Sequence, residues 1–358
     1  VRGSDFRKTM NLEEDIIYDI DLTPNRGDCL GHLGVARELA ILEKKRIEKS
    51  DYKSIEFKKA KVKEKFAIKI SSQNNCKRYA ACIIKGVKVK ESPPWLKENL
   101  ESIGQKSINN IIDAANYILM DLGHPMHTFD LNQVSNSTII VKKSDKKQRL
   151  LCLDGAEREI TKDHLLICDD KKPLAIAGII GLQNSSVTNN TTDIVIESAC
   201  FNPVSVRKGA KLLDLSTDAS KRFERGTDIN SILHSLDTLA ALIQKTAGGK
   251  ICKDLIDIYP KEKSNNEVNF NTDDCNSLLG TSISKQEILK ILKKLSISTK
   301  VDKKNIKCLV PSYRNDLERS VDLYEEIARV YGYDNIDSTD SFNSSFSIIQ
   351  HDANKIRK

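Results

Sequence analysis

No stretch of this 358-residue chain approaches the ~18 consecutive apolar residues that a membrane-spanning helix needs, so none of it reads as one. A signal-peptide pattern is missing from the first residues, and so are lipidation motifs. The chain opens on Val1 rather than Met, and the stretch after Asn335 looks unfinished, as expected for a piece of a longer protein. CxxC spacing is also absent. The nine cysteines are odd in number and scattered, which argues against a zinc site and against a disulfide framework. Cys82, Cys152 and Cys168 sit inside apolar strand patterns and read as small buried hydrophobes in a reducing, cytoplasmic setting.

With 39% apolar and 30% charged residues, the composition fits a globular protein of two or three domains. The net charge of +7 is concentrated. Residues 44–65 carry ten Lys or Arg against four Asp or Glu, and the remainder is close to neutral. That surplus is read as a solvated connector, with a diffuse field for nucleic acid as the other possibility.

The patterning predicts an α+β, multidomain chain: a central α/β domain flanked by small winged-helix-like α+β modules. Residues 1–65 form the end of a first domain plus the basic linker. Within them, Ile16, Tyr18, Ile20 and Leu22 alternate as a half-buried strand, and Asp28 is placed to cap a helix carrying Leu30, Leu33, Leu39 and Ile41. Residues 66–250 form the central domain. It opens with β-rich sequence to Val89, then a helix from Ser92-Pro93 to Gly104 and a second, capped by Ser107 and ended by Gly123. Four strand-like runs follow at 138–141, 149–153, 174–181 and 193–197. Asn202-Pro203 opens another helix, and a long one spans 228–248. Residues 251–266 are a linker. Residues 267–338 form a module with a helix capped by Ser284 and Glu287, a hairpin, and a helix beyond Pro311. Residues 339–358 begin a further domain or linker.

Several constellations could carry chemistry. His124 and His127 lie in GHPMHTFD, a loop leaving a capped helix. Pro125 separates them and no third ligand accompanies them, so a pocket-mouth or structural histidine fits better than a metal ligand. Glu197 ends an apolar strand, where a carboxylate is costly to bury without a partner and where open sheets bind ligands. An exposed strand-end Glu is the plainer alternative. STDAS at 216–220 is a turn of small residues that lets a ligand approach closely, and Arg222, Glu224 and Arg225 beyond it are expected to form an ion-pair network. Gly178 and Gly181 flank an apolar strand. Asp316, Asp322, Glu325 and Glu326 gather acids near a helix start: either a solvated face favoured by the helix dipole, or a site for a hard cation such as Mg²⁺.

In order along the chain stand DIDLTPNRGDCLGHLGVARELA, SPPWLKENLESIG, INNIIDAANYILMDLGHPMHTFD, IVIESACF, LSTDASKRFERGTD and PSYRNDLERSVDLYEEIARVYGYDNI. Together they resemble the β subunit of bacterial-type phenylalanine–tRNA ligase from about Ile16 to Ile336. The resemblance implies an α₂β₂ assembly whose α subunit charges tRNA(Phe) using ATP and phenylalanine. It implies that the β chain supplies assembly, tRNA contacts and a central site hydrolysing mischarged Tyr-tRNA(Phe), and that this piece alone does not aminoacylate. On this resemblance His127, Glu197, Thr217, Ala219, Asn116, Gly181 and Lys106 fall on editing-pocket positions, with Glu197 reading the tyrosine hydroxyl. Asp316, Asp322, Glu325 and Glu326 match a magnesium-associated set, favouring the cation over the solvated face. Ala115 stands where the family often has Thr, Leu182 where it has a second Gly, and Lys106 where it has Arg, whose bidentate fork lysine lacks. The competing reading is a non-catalytic scaffolding and tRNA-binding subunit with an inactive pocket. A freestanding nucleic-acid-binding winged-helix protein is disfavoured, because the basic surplus is confined to the linker.

Overall fold

The computed structural model describes residues 16–43, 45–47, 66–252, 255–262, 265–302 and 305–337. Nearly all of the basic run at 44–65, and the segment 339–358, lie outside the described residues. The chain divides into two compact units. The first extends to Asn266 and takes back Val310–Glu318; the second holds Glu267–Leu309 and the residues from Arg319 onward. The segment around Pro311 thus belongs to the first unit, although it lies beyond Glu267 in sequence.

The first unit opens with residues 16–23 in no regular structure, with Ile16 73%, Tyr18 78% and Ile20 51% exposed. The expected strand is absent there, because alternation alone does not make a strand without a neighbour to pair with. Helix α1 (His32–Leu42) follows. Its N-cap is Gly31, not Asp28. Asp28 is instead held by the Arg26 guanidinium at 2.9 Å through both oxygens.

Next come β1 (Ala67–Ile70), β2 (Cys76–Lys85), α2 (Pro94–Ser102), α3 (Ile112–Leu122) and β3 (Met126–Asp130). Ser107 does not cap α3; its hydroxyl bonds Asp113, and Asn109 Oδ1 accepts from the amides of Ile111 and Ile112. Gly123 ends α3 at φ +70°, as the sequence predicts. The chain continues through β4 (Thr138–Lys143), β5 (Gln148–Leu151), β6 (Glu157–Ile160), β7 (Leu165–Cys168), β8 (Pro173–Ile176), β9 (Ile180–Gly181) and β10 (Asp193–Phe201). It then forms α4 (Pro203–Leu212), α5 (Asp218–Arg225), α6 (Ile232–Ala247), β11 (Lys250–Ile251) and β12 (Ile256–Ile258). Asn202 caps α4 through its side chain, as expected.

One sheet runs β1-β4-β7-β8-β9, and a second runs β11-β2-β10-β3 with β12 also on β2. The expected linker at 251–266 thus contributes a strand, with Ile256–Ile258 paired to 79–81 of β2. Side chains of β2 and β10 alternate between two cores. Tyr79, Ala81, Ile83, Val195 and Ala199 face a cluster shared with Ile139, Val141, Leu166 and Leu174 of the first sheet. Ala80, Cys82, Ile84, Ile194 and Ile196 face Ile118 of α3 and Leu236, Leu239 and Ile243 of α6. Being covered on both sides, β2 and β10 are almost wholly buried. Each fully buried Ile or Leu contributes roughly 1.5–3 kcal/mol.

The second unit comprises β13 (Glu267–Asn271), α7 (Thr272–Leu279), α8 (Lys285–Lys294), β14 (Ser298–Asp302), β15 (Asn305–Leu309) and α9 (Ser320–Tyr331). Its antiparallel sheet runs β13-β15-β14. Phe270 meets Tyr324 edge-on at 5.1 Å, joining β13 to α9. Ser284 caps α8 as predicted, whereas β13 and α7 extend the helix–hairpin–helix pattern that the sequence suggested. The whole is α+β. No described helix is long and apolar enough to cross a membrane.

Candidate functional site

Glu197 is the fifth of nine residues in β10, not its last, and it is 5% exposed. The carboxylate is tolerated there because the Tyr79 hydroxyl donates to its Oε2 at 2.7 Å. Burial still pushes the Glu197 carboxyl up to about 7, with the Tyr79 bond pulling the other way.

His127 lies on strand β3 rather than in a loop, and its register partner on β10 is Glu197. Directly paired residues put their side chains on one face with Cβ atoms roughly 4.5–5.5 Å apart. On the other side of Glu197 the register partner is Ala81. The His127 ring stands edge-on to Phe129 at 4.6 Å, and burial pushes it down to about 4, so it is neutral at pH 7. Its Nε2 is buried without a hydrogen-bond partner. Such an orphan is uncommon enough in a folded protein to call for a ligand or water.

Gly181 packs against that ring. A Cβ built there would meet His127 Cε1 at 2.6 Å and Nε2 at 2.8 Å. Thr217 caps α5 in a reciprocal box with Ser220 and donates its Oγ1 to the Ile179 carbonyl at 2.8 Å, two residues before Gly181. Ala219 packs on the cluster between the two sheets. Glu197, His127, Gly181, Thr217 and Ala219 are therefore gathered on the sheet-to-sheet side. Lys106 is exposed, but its neighbour Gln105 donates to Asp218 at 3.0 Å, which sets this loop beside the first turn of α5. Asn116 is half-buried on α3, whose Met120 sulfur accepts from Arg222 of α5 at 3.3 Å.

Other expectations change. Ala115 lies in the helix-side cluster, so its missing hydroxyl concerns apolar packing rather than the Glu197 face. Leu182 is a buried core residue. Arg222 does not join an ion-pair network with Glu224; it donates to the carbonyls of Leu30 and Asp218, with Asp218 Oδ1 at 3.4 Å. His124 is tied to Ser198 Oγ at 3.0 Å on the helix side and is likewise lowered to about 4 by burial. Tyr79, which sequence patterning missed, stands 118 positions from its partner, and no local signal joins the two. All nine cysteines are buried, and Cys82, Cys152 and Cys168 pack in the cores as the sequence suggests. Two open cavities of about 310 and 260 Å³ lie elsewhere in the first unit; Arg314 and Glu318 help line one, His124 and Arg37 the other.

Three of the four acids already have arginine partners. Asp316 is paired with Arg314 at 2.8 Å, and Glu326 with Arg329 at 2.7 Å. Both oxygens of Asp322 accept from Arg319, one from its amide and one from its guanidinium. Glu325 is exposed. Arginines thus supply counter-charge that the sequence reading assigned to a cation. Among the described residues, one group of three His, Cys, Asp or Glu side chains has its ligand atoms all within 4.8 Å of one another: Asp28, Cys29 and Glu38. Arg26 already occupies that group, bonding both carboxylates.

Residues 75–248 match the B3/4 domain family, and residues 268–333 the tRNA synthetase B5 domain family. The chain is 42% identical over 327 residues to the phenylalanine–tRNA ligase beta subunit of Geobacter sulfurreducens, covering 91% of this chain and 41% of that one. It is 41% identical over 330 residues to the Syntrophotalea carbinolica beta subunit, with the same coverage. The Fusobacterium nucleatum beta subunit is 37% identical over 339 residues, covering 94% of this chain and 42% of that one. The chain spans about two fifths of the length of these relatives.

Proposed function

We propose that this chain, which belongs to the phenylalanine–tRNA ligase beta-subunit family, hydrolyses Tyr-tRNA(Phe) in its B3/4 domain and supports charging by an alpha subunit. The observation that carries this reading is the Glu197–His127 pair: a buried carboxylate directly opposite, on the neighbouring strand, a neutral imidazole whose Nε2 has no partner. Tyrosine exceeds phenylalanine by one hydroxyl, which an apolar pocket rejects only weakly. A buried carboxylate that accepts from that hydroxyl favours tyrosine, because phenylalanine would leave it unsatisfied.

In this mechanism Glu197 accepts the phenol hydroxyl and orients the aminoacyl ester. His127 Nε2 holds the water that attacks the ester carbonyl, and the tRNA's terminal ribose leaves with its hydroxyl restored. Gly181 leaves the His127 ring room, and Thr217 holds the neighbouring turn. No covalent nucleophile is invoked. The α₂β₂ assembly, tRNA(Phe) contacts through the B5 unit, ATP use by the alpha subunit and a cytoplasmic location belong to the same proposal. Magnesium at Asp316, Asp322, Glu325 and Glu326 is a separate proposal, since Arg314, Arg319 and Arg329 would have to release their carboxylates.

The test is deacylation of Tyr-tRNA(Phe) by the full-length chain reconstituted with its alpha partner. His127→Ala and Glu197→Ala should each lower the rate at least about tenfold. Undiminished rates would leave a scaffolding subunit with an inactive pocket as the better reading.

A further inference from the structure

We infer that Tyr79 is a positioning residue for Glu197: by holding Oε2 it leaves Oε1 as the atom that receives a substrate hydroxyl. The inference rests on the reading of Glu197 given above. Tyr79 is completely buried in β2, on the face it shares with Glu197, and its hydroxyl reaches Oε2 at 2.7 Å. In register terms Ala81 is directly opposite Glu197 and Tyr79 opposite Ala199, so the tyrosine approaches diagonally. A long aromatic side chain spans that diagonal, and the small Ala81 does not obstruct it. Oε2 has no other described donor, and Oε1 has none. A carboxylate free to rotate would present either oxygen, whereas one pinned at Oε2 presents a single acceptor in a fixed direction.

The bond also sets which ionisation state is available. The titratable groups around Glu197 are Tyr79 and Cys76 from β2 and His127 from β3. Burial drives Tyr79 and Cys76 well upward and His127 down to about 4, so all three are neutral near pH 7. Glu197, at about 7, is then the group among them that titrates there, and Tyr79 favours its ionised form.

The experiment is the pH profile of Tyr-tRNA(Phe) deacylation, from pH 5.5 to 9, by the full-length chain with its alpha partner. For Tyr79→Phe the acid limb should move up by about one pH unit, giving about a tenfold loss at pH 6.5 that closes by pH 9. Replacing Tyr79 with 3-fluorotyrosine, a stronger donor of nearly the same volume, should move the limb down, and it keeps the test informative if Tyr79→Phe misfolds. A limb that stays put in both variants overturns the inference, as does a loss of equal size at every pH. If Glu197→Gln leaves deacylation intact, the underlying reading of Glu197 has failed instead, independently of how Tyr79 behaves.

Discussion

Gly181 lies so close to His127 that a methyl group in place of its hydrogen would stand 2.6 Å from the ring carbon Cε1. The Leu153 side chain, 2.8 Å from the same point, closes the other direction of relief. Gly181→Ala should therefore displace the imidazole. The expected outcome is a loss of about 1–3 kcal/mol in stability from overpacking together with at least about a tenfold loss of Tyr-tRNA(Phe) deacylation. Denaturant unfolding and single-turnover deacylation measure the two separately.

Glu197 should cost the protein stability as pH rises. Its folded-state value of about 7 lies above its ordinary 4.5, so the folded state holds the proton more tightly. Stability is full below pH 4.5 and is lost as pH climbs through 7, by at most about 3 kcal/mol. Glu197→Gln removes the charge and should melt at a higher temperature than wild type at pH 8, with the difference vanishing at pH 5. A wild type that melts higher at pH 8 would show that the carboxylate is better compensated than Tyr79 alone allows.

The buried histidines act in the opposite direction. His124 is lowered from 6.5 to about 4, so the unfolded chain binds the proton more readily. Its stability contribution is present above pH 6.5 and is lost as pH falls toward 4. His124→Gln should flatten the fall in unfolding free energy between pH 6.5 and 4.5, while lowering stability at pH 7 by about 1 kcal/mol through weakened contact with Ser198. Urea titrations at several pH values supply the slopes.

Thr217 has two bonds to lose: its cap on Ser220 and its reach to the Ile179 carbonyl. Thr217→Ala should cost about 1–2 kcal/mol, and Thr217→Ser should recover most of it. Thermal melting of the two variants decides the matter.

The arginine pairs make a separate expectation about metal. Glu326 is buried against Arg329, so Arg329→Ala removes a guanidinium from a buried carboxylate and should destabilise the chain by about 3 kcal/mol. If arginine is the counter-charge, EDTA should leave the melting of the wild-type chain unchanged. A melting temperature that rises on adding Mg²⁺ and falls with EDTA would favour the cation.

Much of the fold was legible locally. Asn202, Ser284 and Gly123 announced helix ends, and the stripes of α3 and α6 gave their buried faces. Other features were not. MHTFD follows Gly-His-Pro and shows no clean alternation, so β3 reads as a loop until β10 pairs with it. The charge of Glu197 seemed to end β10, because the partner that allows it to continue is Tyr79, on a strand remote in sequence. The eight-residue helix α5 is mostly polar, and its place is fixed by Thr217, Gln105 and Arg222, whose partners lie elsewhere in the chain. The site was reached through family resemblance rather than periodicity. What the three-dimensional arrangement adds is the pairing of His127 with Glu197, the closeness of Gly181 and the donor Tyr79.

The most direct measurement is the ratio of deacylation rates for Tyr-tRNA(Phe) and Phe-tRNA(Phe), taken with the reconstituted full-length enzyme before and after Glu197→Ala. If Glu197 reads the hydroxyl, wild type should favour the tyrosyl ester by at least about a hundredfold, and the variant should bring the ratio close to one. A ratio that survives Glu197→Ala unchanged would contradict the assignment.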